Sequence, residues 1–360
     1  MSDGSFRFIA EQHLPRWLDQ LATVYQVYVP ACISDHYSWS WWAPGCAASV
    51  ALRGYRTVEP LKAFLFRARE VIARGFRIEF EASAPRPLCV VGARACDLEA
   101  LAILDSVFLD DEPVDPFYQR WRQTTRIIAA DCGEPGPYCF CTALGGKPFP
   151  ETGYDLNVSG VNGGFLVGEG SRAGRELIAG CANLFVPAVD ALLDEVGRTR
   201  RQVTERVQQS VEQWNVPGES ELAGVVARRY DSPVWEEEAR ECVECGACNT
   251  ICPTCHCFLL YDQPSQAGVD GFVRLRTWDA CLLRDFARVA GGGNPRPRLW
   301  MRLRNRFVKK FDFFPQVLNK NACTGCGRCV EACPAGIDIR RVLRRLTAAD
   351  GTQRESISTH

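Results

Sequence analysis

Apolar residues recur along the N-terminal part of the chain at two different spacings, which predict a mixture of helices and strands. Residues 11–22 and residues 61–73 carry apolar side chains at helical spacing. Residues 24–30 instead alternate between apolar and other positions, as is typical of a half-buried strand. The hydrophobic pattern therefore predicts a helix, a strand and a second helix in this order.

Two short apolar runs further along the chain predict a pair of parallel strands. The first run is Leu88–Val91, a helical pattern follows Asp97, and the second run covers residues 125–130. A strand–helix–strand order is typical of parallel strands in an α/β layer. Residues 172–213 are rich in helix formers and charge, so we predict that they form helices leading away from this layer.

A glycine-rich turn at residues 165–178 lies between a predicted strand and a predicted helix and has two interpretations. Gly168, Gly170 and Gly174 match a dinucleotide-binding loop only loosely, because no acidic residue ends a second strand about 20 residues later. Ser171 at the start of the helix has the side chain that an N-cap needs. We therefore predict a plain turn that Ser171 caps.

The cysteine content changes this picture more than the charge does. The chain of 360 residues contains 19 cysteines, and its formal net charge of -1 argues against a general nucleic-acid binder. The first residues show no signal peptide, and no stretch of roughly 18 apolar residues predicts a membrane helix. We therefore expect a cytoplasmic protein whose thiols stay reduced and serve as metal ligands.

Two cysteine motifs of identical spacing dominate the C-terminal region. Residues 242–253 read CVECGACNTICP and residues 323–334 read CTGCGRCVEACP, so both follow the pattern C-x2-C-x2-C-x3-C-P. Bacterial ferredoxins with two [4Fe–4S] clusters have this spacing, and the fourth cysteine of each motif binds the cluster of the other. Two such motifs with both prolines in place favour clusters over the alternatives, which are a zinc site or a set of disulfides.

The crossed pattern of ferredoxins predicts two sets of cluster ligands. We expect one cluster to be bound by Cys242, Cys245, Cys248 and Cys333. We expect the other cluster to be bound by Cys323, Cys326, Cys329 and Cys252. Gly246, Gly325 and Gly327 suit tight loops in which the backbone approaches the cluster sulfides.

Four further cysteines lie in the loops after the two predicted parallel strands and leave two interpretations open. These cysteines are Cys96, Cys132, Cys139 and Cys141. Ligands in open α/β sheets bind beyond the carboxyl ends of the strands, so these thiols could hold a third [4Fe–4S] cluster. The other interpretation is a set of separate structural thiols. Zinc is a weaker alternative, because the chain already carries iron–sulfur motifs.

The insert between the two motifs, residues 253–322, is far longer than a small two-cluster ferredoxin needs. It contains Cys255, Cys257 and Cys281, which are either buried thiols packed near the clusters or residues that bind or relay electrons. Residues 296–310 contain basic and no acidic side chains. The usual interpretation of such a run is a solvated face. A second interpretation is that the cations lie near an anionic cluster and favour the reduced form of that cluster. A third is that a partner subunit binds this surface.

These patterns together predict an α+β architecture with two domains and a tail. We expect an N-terminal α/β domain with a helical C-terminal part over residues 1–230. We expect a ferredoxin-like domain with two [4Fe–4S] clusters and a long insert between its motifs over residues 231–347. The polar residues 348–360 predict a disordered tail.

Several short motifs resemble one known family when they are taken together. They are GARACDL at 92–98, DPFY at 115–118, CFC at 139–141, CPTCHCF at 252–258, WDAC at 278–281 and GNPR at 293–296. The combination resembles the beta subunits of cytoplasmic sulfhydrogenase-type [NiFe] hydrogenases, together with the corresponding iron–sulfur subunits of anaerobic sulfite reductases, from about Val27 to Leu346. The chain departs from the family at Gly293, where a histidine is common before the asparagine.

The resemblance implies a non-catalytic iron–sulfur electron-transfer subunit of an oxidoreductase complex. It would work beside a subunit that binds flavin and NAD(P)H and beside a catalytic hydrogenase or sulfite-reducing subunit. Two other functions stay open from the residues alone. The chain could be a redox enzyme with a substrate or nucleotide site in its N-terminal domain, or a redox sensor whose clusters control an interaction. The sequence shows no convincing nucleophile–base pair or open metal position.

Overall fold

The computed structural model describes residues 6–45, 49–78, 86–110, 112–265 and 271–357, with side chains in the last helix described to residue 348. Its contacts divide the chain into two units, each assembled from separate stretches of sequence. The first unit comprises residues 1–66, 81–136 and 147–207, and the second comprises residues 67–80, 137–146 and 208–360. The second unit thus includes residues 208–230 and two short stretches that precede the predicted domain boundary at residue 230, and that boundary stays a prediction.

The strands of the described residues form two sheets. They are β1 (Arg7–Ala10), β2 (Gln26–Ile33), β3 (His36–Trp41), β4 (Arg69–Arg74), β5 (Arg77–Ile78), β6 (Leu88–Ala93), β7 (Arg126–Ala130), β8 (Leu156–Val161), β9 (Gly164–Glu169), β10 (Phe185–Pro187), β11 (Phe258–Pro264) and β12 (Phe272–Trp278). The sheet of the first unit has the order β10-β1-β9-β8-β7-β6-β2-β3, and the sheet of the second has the order β11-β12-β4-β5. The molecule therefore has the predicted α+β composition.

The helices are numbered in the same way. They are α1 (Leu14–Leu21), α2 (Lys62–Leu65), α3 (Ala95–Phe108), α4 (Pro116–Thr124), α5 (Arg172–Ala179), α6 (Asp190–Gln213), α7 (Glu219–Leu222), α8 (Val225–Arg228), α9 (Val234–Ala239), α10 (Ala247–Thr250), α11 (Leu299–Val308), α12 (Phe314–Leu318), α13 (Arg328–Glu331) and α14 (Ile339–Ile357). A π-helical turn, Lys309–Phe313, joins α11 to α12. Helix α14 continues past residue 348, where we predicted a disordered tail. Among the described residues, no helix has the length and apolar character needed to cross a membrane.

The centre of the large sheet is parallel, as the strand–helix–strand pattern predicted. Strand β6 pairs in parallel with β7, with Val91 opposite Ile128, and the connection between the two strands contains α3 and α4. The neighbouring pairs β2/β6 and β7/β8 are parallel as well, whereas the outer pairs are antiparallel. Trp17, Val91 and Ile128 are fully buried in one apolar cluster beside this sheet. Parallel strands need such apolar cover.

The helix predicted at residues 61–73 is wrong beyond its first turn. Helix α2 ends at Leu65, and Arg69–Arg74 forms β4, which pairs antiparallel with β12. Pairing with a strand about 200 residues away decides the conformation of these residues, and local spacing does not contain that information.

The glycine-rich turn before α5 has the predicted cap. The hydroxyl oxygen of Ser171 accepts a hydrogen bond from Gly174 N at 3.0 Å and donates one to Asp155 at 2.6 Å. A Cβ atom at Gly174 would lie 1.9 Å from the carbonyl oxygen of Asp155. Close packing of helix against backbone therefore explains this glycine, with no need for a bound nucleotide.

The second unit has its own apolar core. Trp235 of α9, Phe307 of α11 and Leu343 of α14 are almost completely buried and belong to one cluster. Phe140 and Ala143, from the short stretch 137–146, belong to the same cluster. This core surrounds the two cysteine motifs and fixes the elements that carry them.

Candidate iron–sulfur centres

The first predicted ligand set lines one cavity of the second unit. Cys242, Cys245 and Cys248 come from the first motif, and Cys333 comes from the second. Most other side chains at this cavity are apolar, including Leu282, Leu303, Phe307 and Ile337. The structure therefore brings together the four thiols that crossed ligation requires, although Cys333 lies about 85 residues after Cys248 in the sequence.

The second predicted ligand set lines a separate cavity of the same unit. Its cysteines are Cys323, Cys326 and Cys329 of the second motif and Cys252 of the first. Thr254, Lys310 and Thr324 give this cavity a more polar wall than the first. Cys329 and Arg306 contribute to both cavities, so the two candidate centres are neighbours.

Glycines give the motif loops their tight curvature. Gly246, Gly325 and Gly327 have φ angles of 72°, 62° and 73°, a region that side chains other than glycine rarely adopt. A Cβ atom at Gly325 would lie 2.5 Å from the backbone nitrogen of Cys141, and one at Gly327 would lie 2.5 Å from the carbonyl oxygen of Tyr138. The second motif thus packs directly against the stretch 137–146, which explains why this stretch belongs to the second unit.

Burial affects the acidity of four of the predicted ligand thiols. Burial raises the pKa of the Cys248 and Cys323 thiols to about 12. Burial also raises the pKa of the Cys242 and Cys329 thiols. Because the thiolate is the form that binds metal, cluster assembly must displace these protons, and metal–sulfur bonding has to supply the free energy for that step.

A buried lysine contacts the second cavity directly. The ammonium group of Lys310 donates to the Cys252 sulfur at 3.2 Å, to Thr254 Oγ1 at 2.8 Å and to the carbonyl oxygen of Ala322 at 2.8 Å. Lys310 lies in the π-helical turn after α11, a kind of turn that is frequent at functional sites. Burial opposes its charge, whereas the nearby Cys252 and Cys255 thiolates raise its pKa. The lysine is therefore placed to stabilise negative charge on the second centre.

Arg306 supplies a second buried cation, between the two cavities. Its Nη2 donates to the carbonyl oxygen of Cys248 at 3.3 Å, and its charge interacts with the Cys248, Cys329 and Cys252 thiolates. Among the described residues, its buried Nε has no hydrogen-bond partner, and neither does the buried Thr324 Oγ1 in the second cavity. Donors of this kind fit the sulfides of a cluster, because iron–sulfur centres accept hydrogen bonds at sulfur.

The number of thiols at the two cavities also suits clusters. Within the part of the chain that the structure describes, no three His, Cys, Asp or Glu side chains converge closely enough to hold a single metal ion. A [4Fe–4S] cubane binds each cysteine at a different iron atom, so its ligands stand farther apart than the ligands of one zinc ion. Eight thiols in two cavities of four therefore match two cubanes.

The basic run at residues 296–310 is mostly buried, contrary to the usual solvated face. Arg302 donates to the carbonyl oxygens of Leu282 and Pro297 at 3.0 and 2.9 Å, which ties α11 to the cluster region. Arg304 lies over the Tyr230 ring, 3.5 Å from its centroid. Sequence reasoning missed the specific role of Lys310, because only the fold shows which cation of the run faces a thiol.

The four cysteines of the predicted third cluster divide between the two units. Cys96 lies in the first turn of α3 and Cys132 follows β7, and both belong to the first unit. Cys139 and Cys141 belong to the second unit, where Cys139 Sγ lies 3.9 Å from the carbonyl oxygen of Cys326. The predicted cluster of these four thiols stays a prediction.

Two of the three remaining cysteines of the insert lie beside one buried amide, that of Asn249, which sequence reasoning did not single out. Asn249 Nδ2 lies 3.1 Å from the Cys281 sulfur and 3.7 Å from the Cys255 sulfur. Cys257 is an electrostatic neighbour of Cys281, and burial raises its pKa. In the sequence, the only indication that Asn249 matters was its position between the third and fourth cysteines of the first motif.

The first unit contains a cavity of its own, of about 520 Å³. It opens at the carboxyl end of β7, where Asp131 and Cys132 contribute to its wall together with Arg53 and Glu195. Asp131 accepts hydrogen bonds from Ser159 at 2.7 Å and Arg200 at 2.8 Å, so its charge is compensated. The cavity lies at the sheet edge where α/β proteins bind ligands.

A unit with two four-cysteine cavities at ferredoxin spacing defines an iron–sulfur protein of the electron-transfer class. Comparison with known proteins agrees, since residues 241–337 match the family described as a 4Fe-4S dicluster domain. The chain is also 31% identical over 334 residues to the sulfhydrogenase 2 subunit beta of Pyrococcus furiosus, and the match covers 92% of this chain and 95% of that protein. The chain therefore belongs to the family of sulfhydrogenase beta subunits, which confirms that part of the resemblance.

Proposed function

We propose that the chain is the electron-transfer subunit of a cytoplasmic oxidoreductase complex and binds two [4Fe–4S] clusters in its second unit. It would pass electrons between a subunit that binds flavin and NAD(P)H and a catalytic subunit that reduces protons, sulfur species or sulfite. The observation that carries the proposal is the pair of neighbouring cavities, each lined by three cysteines of one motif and the fourth of the other.

The residues of the second unit have distinct tasks in this proposal. Two sets of four thiolates would hold the clusters, which supply one-electron redox chemistry when they are bound. Arg306 and Lys310 compensate the negative charge of the thiolates from within the protein. The apolar core around Trp235 and Phe307 packs against Cys248, Cys323 and Cys329, and solvent access is one of the factors that set reduction potentials.

The partners and the location rest on the family. The relative from Pyrococcus furiosus is named as a subunit, which supports a multi-subunit hydrogenase complex for this chain as well. The flavin-binding partner and the choice between a hydrogenase and a sulfite-reducing partner are parts of the proposal. Cytoplasmic location is the setting in which thiolate ligands remain reduced.

The decisive experiment compares the purified chain alone with the chain plus its flavin partner, both under anaerobic conditions. We expect NAD(P)H to leave the visible absorbance of the isolated chain unchanged and to bleach it when the flavin partner is present. Reduction of the isolated chain by NAD(P)H would contradict the proposal, because the chain would then contain a nucleotide site of its own.

That outcome would favour a second candidate function, a redox enzyme with a site in the first unit. The observation in its favour is the cavity beside Asp131, whose volume of about 520 Å³ lies within the range of small-molecule sites. Saturation of nucleotide or substrate binding, lost on Arg53→Ala, would identify this cavity as the site.

A further inference from the structure

Two thiols outside the two ferredoxin sets lie beside one buried amide of the second unit, and a third belongs to a segment that is hydrogen-bonded to the same turn. Asn249 is 2% exposed, and its Nδ2 lies 3.1 Å from the sulfur of Cys281 and 3.7 Å from the sulfur of Cys255. The backbone N–H of Asp279 donates to the carbonyl oxygen of Cys257 at 2.9 Å, which fixes the Cys255–Cys257 segment to the turn that carries Cys281. The two stretches of the insert that carry these cysteines thus lie side by side.

Positive charges lie near two of these thiols, while burial raises the pKa of the Cys257 thiol. Lys309 and Lys310 act on Cys257, and Arg306 and Lys310 act on Cys255. These cations can compensate negative charge on an assembled centre, as Arg306 and Lys310 do for the thiolates of the ferredoxin sets. The arrangement therefore suits a centre that carries negative charge when it is assembled.

Neither a disulfide nor a single ion accounts for the arrangement. Cys255, Cys257 and Cys281 all carry thiols and are not joined in disulfides. In the described ranges these thiols do not converge on one point as ligands of one ion would, and the two ferredoxin sets do not converge in that way either. A cluster binds each cysteine at a different iron atom, so its thiols need not converge in that way.

We propose that Cys255, Cys257 and Cys281 bind a further iron–sulfur cluster, separate from the two ferredoxin-type clusters. Three cysteines bind three irons of a cubane, so the fourth iron takes a ligand other than cysteine. Asp279 is the candidate, because it is an electrostatic neighbour of Cys257 and precedes Cys281 by two residues. The amide of Asn249 donates to the thiolates, a contact that tunes such centres.

The same asparagine connects this site to the first ferredoxin cavity. Asn249 Oδ1 lies 3.7 Å from the sulfur of Cys248, while its Nδ2 contacts Cys281 and Cys255. One side chain therefore separates a ligand of the first set from two thiols of the new set. The new centre would extend the redox chain of this protein, and it would explain why the insert between the motifs is so long.

The test uses the full-length chain, reconstituted anaerobically with iron and sulfide, and its variants Cys281→Ala and Cys257→Ala. The matched control is Cys181→Ala, a buried cysteine of the first unit. We expect the unmodified chain and the control to contain at least about twelve iron atoms and each site variant to contain about four fewer. The variant Cys139→Ala separates this site from the predicted cluster of Cys96, Cys132, Cys139 and Cys141, since it should leave the new centre intact.

A second measurement tests whether one iron atom of the new cluster lacks a cysteine ligand and is therefore labile. Ferricyanide takes one electron from a cubane with a labile corner, and [4Fe–4S]²⁺ then becomes [3Fe–4S]⁺ with release of one Fe²⁺. We expect the EPR signal of a three-iron cluster in the unmodified chain and in Cys139→Ala, and its loss in Cys281→Ala. Identical iron content and EPR response in the unmodified chain and Cys281→Ala would overturn the proposal.

The iron content and EPR response of the unmodified chain test the proposed cluster even where a variant fails to fold. About eight iron atoms and no three-iron signal on oxidation would show that the three thiols are structural. Iron content well below eight would instead count against the ferredoxin-type clusters themselves, so the two proposals fail in different ways.

Discussion

The two ferredoxin-type cavities have the same cysteine spacing but different surroundings. In the first cavity, Cys245 is exposed and the neighbouring walls are apolar. A backbone N–H, that of Ile337, donates to Cys333 at 3.3 Å. In the second cavity, Cys252 and Cys326 are buried, and the charged Lys310 donates to Cys252. Identical motifs thus give one centre that faces solvent and one that faces a buried cation.

This comparison distinguishes the features that bind a cluster from the features that set its reduction potential. Motif spacing decides that a cluster can bind, whereas charge, hydrogen bonds to sulfur and solvent exposure set its reduction potential. A cation that donates to a ligand sulfur stabilises the reduced, more negative cluster. We therefore expect the second centre to gain more from Lys310 than the first centre gains from its neutral backbone donor.

Removal of iron should have the largest effect and should erase the difference between the cavities. Because metal binding supplies folding free energy to such sites, the iron-free second unit should lose structure. Hydrogen exchange should then rise in residues 67–78, 137–146 and after residue 208, while β6 and β7 stay protected. Uniform protection, or uniform loss across both units, would contradict this expectation.

Substitution of the fourth cysteine of one motif should remove one cluster and leave the other in place. Cys333→Ala should remove the cluster bound by Cys242, Cys245 and Cys248, although Cys333 belongs to the other motif. Cys252→Ala should remove the cluster of the second motif in the same crossed way. Iron analysis and EPR of the reduced proteins would show about four iron atoms lost in each case, with different signals remaining. Loss of the cluster bound by the other three cysteines of the same motif would overturn the ligand assignment.

Replacement of Lys310 should make the second centre more like the first. In Lys310→Met the buried positive charge is lost, so the reduced cluster is destabilised and its potential falls. A cost of about 1.4 kcal/mol corresponds to a shift of about 60 mV for a one-electron couple. Redox titration followed by EPR measures the shift, and the exposed Lys320→Met provides the control. An unchanged or higher potential would show that Lys310 acts only in packing.

Removal of the α5 cap should have the smallest effect and should leave both cavities unchanged. In Ser171→Ala the hydrogen bond to Gly174 N is lost, which costs about 1 kcal/mol of unfolding free energy. Thermal unfolding of the first unit would measure the loss, and the cluster spectra should not change. A changed cluster spectrum in this variant would contradict the expectation that the cap acts only on the first unit.

Local sequence patterns were sufficient for several features of this protein. The parallel pair β6/β7 and the Ser171 cap were predicted from local signals and are confirmed. The spacing of the two motifs also predicted which four thiols would line each cavity, because that spacing is a property of short loops around a cubane. The ligation itself remains a prediction that the cysteine variants test.

Other features depended on contacts between residues far apart in the chain. Strand β4 was predicted as helix, because its conformation comes from pairing with β12 rather than from its own spacing. The membership of residues 137–146 in the second unit comes from packing of Cys141 against Gly325. A basic run looks the same in sequence whether it is solvated or buried, and only the tertiary structure shows that Lys310 faces the Cys252 sulfur. The sequence by itself thus determined the chemistry that the thiols can perform, while long-range packing decided which charges and amides surround them.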